Sequence, residues 1–310
     1  MNTNNPRIIC LGNFDGVHLG HRALFERALQ IRDDMISHSC VSGQDNDSTP
    51  PVCGVLTFTQ PTYAYLRSDP PPRITNGEMR EKLIRKAGMQ FVITLDFANV
   101  MDMPPEKFVR EVLIEKYNCI MTVCGYNFRF GCRGSGDSAQ LYELMNGHSV
   151  TVEPVRVDGN IVSSTAIRGA ITDGDMQSAA RMLGRPYSIE NTVQHGHGVG
   201  SGLGFATVNQ HFEPGFLVPA AGVYASRCII DGVSYAAVSN VGCRPTFGDG
   251  DPVLCETHII GLCADLYGKT ICTELHLRLR PEQRFSSAEE LAAAIRHDIE
   301  SAVEYFSANC

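Results

Sequence analysis

The tightest constraint in this chain lies near its start, where Ile8, Ile9, Cys10 and Leu11 run into the turn Gly12-Asn13-Phe14-Asp15-Gly16 and out into a helical pattern. A short apolar run that stops at turn residues reads as a buried parallel strand. Leu19, Ala23, Leu24 and Leu29 supply the apolar face of the helix that follows. His18, Gly20 and His21 therefore fall where the turn becomes the first helical turn. Backbone N–H groups and the positive end of the helix dipole point at that spot, which makes it a seat for a phosphate. Gly20 would let a ligand approach the backbone, and two imidazoles three residues apart add donors on one side. The plain alternative is a pair of solvated histidines at a helix start. Strand, glycines and helix in register favour the phosphate seat.

A chain of 310 residues has room for two domains with cores of their own, and 43% hydrophobic with 19% charged residues is a globular composition. No apolar run approaches the ~20 residues of a membrane helix, and the polar start MNTNNPR lacks the pattern of a secretion signal. A cytoplasmic location is expected. The formal charge of −8 argues against general nucleic-acid binding, so an anionic ligand has to be held by local arginines and helix ends. Twelve cysteines are scattered without a CxxC pair, and Cys10, Cys53, Cys119, Cys124, Cys228 and Cys272 sit inside apolar runs. They read as small buried hydrophobes in a reducing compartment rather than as disulfides or zinc ligands. His195 and His197 flank one glycine in a glycine-rich stretch and read as loop.

Along the first half, residues 37–51 are polar and aperiodic and read as a surface loop. Residues 52–58 form a second strand, Thr75 and Glu78 form a capping box for a helix ending at Gly88, and residues 91–95 a third strand. Pro104 and Pro105 open a helix to about Tyr117, and residues 120–124 give another strand. Alternating strand and helix implies a parallel sheet covered on both faces, with ligands at the carboxyl ends of its strands. The segment GYNFRFG (125–131) follows one such end. Its aromatics, amide and arginine suit a flat ring next to phosphate, Asn127 and Arg129 being favoured for the site. Phe128 fits a ligand role and a core role equally. Ser163 then caps a helix that offers Ser164, Thr165 and Arg168 to one anion, and Asp175 caps a short helix ending near Leu183-Gly184.

Beyond Pro186 the texture changes to short alternating segments at 188–193, 222–230, 233–241, 255–260 and 270–279, which argues for an antiparallel barrel or sandwich. A last helix, capped at Ser287, carries Leu291, Ile295, Ile299 and Val303 at helical spacing.

The motifs GNFDGVHLGH (12–21), GYNFRFG (125–131), SSTAIR (163–168), LGRPY (183–187), LGFATVN (203–209), RPTF (244–247), ETHII (256–260), DLYG (265–268) and LRPEQRF (279–285) occur together and in order. With them the whole chain resembles the prokaryotic bifunctional riboflavin kinase/FAD synthetases. The resemblance implies an α/β Rossmann-like nucleotidyltransferase domain with a parallel sheet over residues 1–186. An all-β, Greek-key-like barrel with a C-terminal helix would follow over 187–310. The implied substrates and products are ATP, riboflavin, FMN and FAD, with Mg²⁺ as the metal.

In the first domain the resemblance implies nucleotide binding by Gly12, Asn13, Phe14, Asp15 and Gly20. His18 and His21 would hold phosphate charge during attack of FMN on the α-phosphorus of ATP, with Ser163, Ser164, Thr165 and Arg168 toward the outer phosphates. Asn127 and Arg129 would lie on the flavin side. Near Phe58, where the family usually has proline-histidine-proline, this chain has Thr59-Gln60-Pro61-Thr62. In the second domain Gly204 would belong to the ATP loop, Thr207 and Asn209 would hold Mg²⁺ and phosphate, and Glu256 would be the base. On local sequence alone, Thr207 and Asn209 read equally as turn residues and Glu256 as a solvated strand carboxylate. Ala206 stands where the family has proline, and Ser201 where it commonly has a basic residue. A lost proline frees ~0.4–1 kcal/mol of chain entropy and a lost charge-assisted contact costs ~1.5–3 kcal/mol, so a slow kinase half is one expectation. The rival readings are an FAD synthetase with a weak kinase domain and a flavin-binding regulatory protein.

Overall fold

The computed structural model describes residues 5–42, 49–194, 205–242, 253–262 and 264–309, and in 39–42 the backbone alone. Its contacts divide the chain into two compact units, Met1–Ser163 and Ser164–Cys310, a division that falls earlier than residue 186.

The first unit holds the strands β1 (Arg7–Leu11), β2 (Val52–Phe58), β3 (Phe91–Leu95) and β4 (Cys119–Gly125). The short pair β5 (Arg129–Phe130) and β6 (Gly136–Asp137) follows, then β7 (Ser149–Val152) and the pair β8 (Arg156–Val157) and β9 (Asn160–Ile161). Its helices are α1 (Leu19–Ser42), α2 (Tyr63–Leu66), α3 (Gly77–Lys86), α4 (Pro105–Lys107, continuing as a π-helix through Phe108–Lys116) and α5 (Ser138–Leu144). Five strands lie parallel in the order β3-β2-β1-β4-β7. Strand order reverses between β1 and β4, and ligands of open parallel sheets bind beyond the carboxyl ends of the strands at such a reversal.

Because neighbouring residues of a strand face opposite sides, β1 feeds two cores. Ile8 and Cys10 pack with Val55 and Val123 against α1, while Ile9 and Leu11 pack with Leu56 and Cys124 against Val109, Leu113 and Leu141. The face that α1 buries is Leu24, Phe25, Ala28 and Ile31, with Leu19, Ala23 and Leu29 only half-buried. That differs from the expected stripe because the sheet selects one angular sector of a helix whose apolar residues are spread around it. The helix also runs through residue 42, into the stretch expected to be loop. Ser37 Oγ donates to the Asp33 carbonyl at 2.8 Å, a back-bond that a polar helical segment in water tolerates.

The second unit opens with α6 (Ser164–Asp173) and α7 (Met176–Leu183), then β10 (Tyr187–Thr192), β11 (Thr207–His211), β12 (Gly222–Ile230), β13 (Val233–Gly242), β14 (Leu254–Ile259) and β15 (Thr270–Pro281), and ends with α8 (Ala288–Ala308). The antiparallel order is β10-β15-β12-β13-β14-β11. Three hairpin-connected strands with the fourth returning beside the first form a Greek key. The two edges are tied together: Gln194 bridges Asn209, Asn191 Nδ2 donates to the His211 carbonyl at 2.6 Å, and Gln210 Nε2 donates to the Asn191 carbonyl at 3.2 Å. These bonds close the sheet toward a barrel.

Asp175 accepts from Ser178 N at 2.9 Å and Gly184 ends α7 in the left-handed conformation, both as the local pattern requires. Ser287 caps α8, accepting from Glu290 N at 3.2 Å. The stripe on α8 differs from expectation. Ala302 and Phe306 pack on Val223, Ala225 and Val238, whereas Val303 is 44% exposed. Arg280 grips Asp298 on α8 with both ends of its guanidinium, at 2.9 and 2.8 Å. The cysteines Cys10, Cys53, Cys119, Cys124, Cys228 and Cys255 are buried and free; Cys272, expected inside, is partly exposed. Among the described residues no helix is long and apolar enough to cross a membrane.

Candidate functional site

The turn between β1 and α1 is held in an unusual backbone path. Phe14 (φ 51°), Gly16 (φ 85°) and Val17 (φ 41°) all lie in the left-handed region, a clustering that persists only where surrounding contacts enforce it. Asp15 supplies much of that enforcement. Only 2% exposed, its carboxylate accepts from Ile74 N (2.9 Å), Thr75 N (3.1 Å) and the Tyr63 hydroxyl (3.2 Å). Thr75 Oγ1 in turn accepts from Gly16 N at 3.1 Å. The expected capping box at Thr75 therefore does not form. Thr75 is drawn to the turn 59 residues earlier, and Asn76 caps α3 by accepting from Met79 N at 2.8 Å.

Asn13 ties the turn to the segment after β2. Its Oδ1 accepts from Thr62 N and its Nδ2 donates to Thr62 Oγ1, both at 3.2 Å. Phe14 is fully buried against Phe25 and the edge of His21. Phe14 and Asp15, expected at the nucleotide, are buried, and their contacts support the turn.

His18 and His21 are brought together, their rings stacked with centroids 3.6 Å apart and planes 16° apart. His18 is 6% exposed, and its Nδ1 accepts from His21 N at 3.3 Å. That bond takes the lone pair on Nδ1, so in a neutral ring the proton sits on Nε2, which is then a donor. Gly20 lies close against the His18 ring. A Cβ there would meet His18 Cε1 and Nδ1 at 3.1 Å, so the glycine makes room for the imidazole.

Beside the turn lies a cavity of about 150 Å³ lined by Leu11, Gly12, Phe58, Phe97, Phe108 and Phe128, among others. Phe58 meets Phe97 edge-on at 5.1 Å, and Phe128 stacks on the buried Phe130 at 5.7 Å. Phe128 thus faces both the cavity and the core. Arg129 also lines the cavity and pairs with Asp137 at 3.6 Å, while Asn127 is exposed. Thr62 lies in the cavity wall where the family pattern differs. Sequence reading overlooked Arg80. This α3 residue is 7% exposed and donates to the Asn13 carbonyl at 3.2 Å and the Phe58 carbonyl at 2.7 Å. Burial holds its pKa below the usual guanidinium value, an effect partly offset by the charge of Asp15. Ser163 ends the first unit, and Ser164, Thr165 and Arg168 lie on α6 in the second.

In the second unit the strand register gathers the other candidates. Thr207 and Asn209 lie in β11, a strand that the sequence reading did not assign because only five largely polar residues compose it. Asn209 is directly opposite Glu256 on β14, and Glu256 is directly opposite Asn240 on β13, so the three share one face of the sheet. Asn209 is 3% exposed and Glu256 half-buried. These are strand positions, not turn positions. Ala206 passes its carbonyl to His258 Nδ1 at 2.9 Å. Gly204, Ser201, His195, His197 and the RPTF motif lie outside the described residues.

The FAD synthetase family model matches residues 1–166 and the riboflavin kinase family model residues 183–306. The bifunctional riboflavin kinase/FMN adenylyltransferase of Pseudomonas fluorescens is 33% identical over 306 residues, covering 95% of this chain and 91% of that protein. The protein of the same description from Escherichia coli (strain K12) is 31% identical, covering 96% and 92%, and that from Bacillus subtilis (strain 168) 30%, covering 97% and 92%. A solved structure, described as the crystal structure of a macrolide-efflux protein from Streptococcus pneumoniae, superposes with a TM-score of 0.85 at 27% identity, covering 97% of this chain and 95% of that one. The efflux description is that protein's own. Both family matches and relatives spanning nearly the full length agree with the two units seen here, and the chain belongs to the bifunctional riboflavin kinase/FMN adenylyltransferases, which make FMN from riboflavin and FAD from FMN.

Proposed function

We propose that the turn after β1 is the adenylyl-transfer centre and that the face shared by Thr207, Asn209 and Glu256 is the kinase centre. The observation that supports the first assignment most is the stacked His18–His21 pair at a helix start, beside an aromatic cavity at the point where strand order reverses. His18 and His21 would donate to phosphate oxygens of ATP. FMN would place its ring toward the cavity, with Arg129 and Asn127 on that side. A phosphate oxygen of FMN then bonds to the α-phosphorus as the bond to pyrophosphate breaks, and the leaving electron pair departs on pyrophosphate. Positioning and charge neutralisation suffice, without a covalent enzyme intermediate. Ser163, Ser164, Thr165 and Arg168, at the start of α6, would form a seat for phosphate, and the functional division of the chain would fall at 186/187.

In the kinase centre Glu256 would take the proton of the riboflavin hydroxyl. The hydroxyl of Thr207 and the side-chain oxygen of Asn209 are oxygen donors on one face of β11, which fits Mg²⁺. Bound there, the metal would neutralise phosphate charge. Gly204 would belong to the adjoining ATP loop. A reducing cytoplasmic location accords with the buried, free thiols.

The test is a pair of variants of the full chain, assayed with ATP and Mg²⁺. His21→Ala should abolish FAD formation from FMN while riboflavin is still phosphorylated, and Glu256→Ala should do the reverse. Equal loss of both activities in either variant would defeat the two-centre assignment.

A further inference from the structure

Arg80 stands apart from the other basic residues of the first unit. It is buried, and its two terminal nitrogens reach carbonyls at the carboxyl ends of two adjacent strands: Nη1 to Asn13, just past β1, and Nη2 to Phe58, the last residue of β2. Asn13 belongs to the turn that presents His18 and His21. Phe58 forms part of the cavity wall. Thr57 Oγ1 donates to the same Asn13 carbonyl at 3.1 Å, so this oxygen is held from two directions. Among the described residues Arg80 makes no ion pair within 4.0 Å, so its donors serve backbone geometry. A planar fork of fixed donors holds two carbonyls at a set separation, whereas a lysine ammonium presents its three donors from one atom and holds them less rigidly.

We propose that Arg80 is a positioning residue for adenylyl transfer, fixing the phosphate turn relative to the aromatic cavity so that the FMN phosphate oxygen meets the α-phosphorus of ATP in line. This rests on assigning adenylyl transfer to the turn after β1. The consequence is kinetic. Substrates held at either end still bind when the clamp is lost, but their reacting atoms drift apart, and a misplacement of about 1 Å costs about 100-fold in rate.

The experiment measures FAD formation from FMN and ATP by the full-length chain and its Arg80→Met, Arg80→Lys and His21→Ala variants, with riboflavin phosphorylation and thermal melting recorded alongside. For Arg80→Met a fall of about 100-fold in kcat is expected, with KM for FMN within about threefold of the parent and riboflavin phosphorylation unchanged. Arg80→Lys should recover part of the loss. A wild-type kcat in Arg80→Met, or a loss confined to KM, would overturn the proposal. If Arg80→Met does not fold, Arg80→Lys decides. A lowered kcat at a parental melting temperature supports positioning, and a wild-type kcat refutes it. His21→Ala separates the two levels of inference. Should it retain FAD formation, the site itself is misassigned; should it lose FAD formation while both Arg80 variants keep theirs, only the role of Arg80 falls.

Discussion

Gly20→Ala should make the protein more stable and a poorer adenylyltransferase. Gly20 lies in the first turn of α1 with φ outside the left-handed region, so alanine is conformationally acceptable there. Replacing a helical glycine by alanine stabilises by roughly 0.5–1 kcal/mol. The new Cβ would stand 3.1 Å from His18 Cε1 and Nδ1 and 3.6 Å from the Val162 carbonyl. Ordinary contact then requires the imidazole to retreat by about 0.3–0.4 Å, and scaling the ~100-fold cost of a 1 Å misplacement gives a loss of about 4–6-fold in kcat. The same retreat lengthens the 3.3 Å bond from His21 N to His18 Nδ1 and presses on the stacked His21 ring. Urea unfolding gives the stability, and chromatographic separation of flavins after incubation with FMN and ATP gives the rate. Riboflavin phosphorylation in the same sample is the internal control. An alanine variant as active as the parent, or one whose activity falls only in step with its stability, would refute the idea that this glycine exists to accommodate His18.

Stability should fall on the alkaline side. Burial pushes Cys228 up to about 12 and Cys255 up to about 11 from an ordinary thiol value of 9.0. Below about pH 9 these thiols are protonated whether the chain is folded or not, and their contribution is complete. Between about pH 9 and 11 the unfolded chain releases protons that the folded chain keeps, so stability declines by about 3 kcal/mol per pH unit for the two. Melting temperatures measured under reductant from pH 8 to 10.5 check this, and a flat profile contradicts it. Asp298→Ala should destabilise the second unit by about 3–5 kcal/mol, because it strands a largely buried Arg280. A urea midpoint within about 0.5 kcal/mol of the parent's stability would show that the pair contributes little beyond its desolvation cost.

Much of the fold is legible in the chain because its cause is local. The bounds of β2, β3 and β12 follow from apolar runs between turn residues, and the caps at Asp175 and Gly184 follow from interactions a few residues long. The site is legible for a related reason: His18, Gly20 and His21 belong to one helical turn, so their spacing already implies convergence. The five-residue β11 shows the limit. Its polar sequence has no periodicity of its own, and it becomes a strand because β14 supplies the hydrogen bonds. Asn209, Glu256 and Asn240 then align by a register no local rule contains.

By itself, then, the sequence determined the alternating strands and helices of the first half, the short antiparallel strands of the second and the histidine turn, since each depends on propensity and periodicity within a single segment. Only the tertiary structure decided that Thr75 serves the turn and not its own helix, that Phe14 and Asp15 are buried beneath it, and that Arg80 bonds two strand ends. The donors and acceptors in those bonds lie as far as 67 residues apart along the chain. Which of them pair is settled when packing excludes water and leaves each buried polar group only the partners packed around it, and that competition has no signature in a single stretch of sequence.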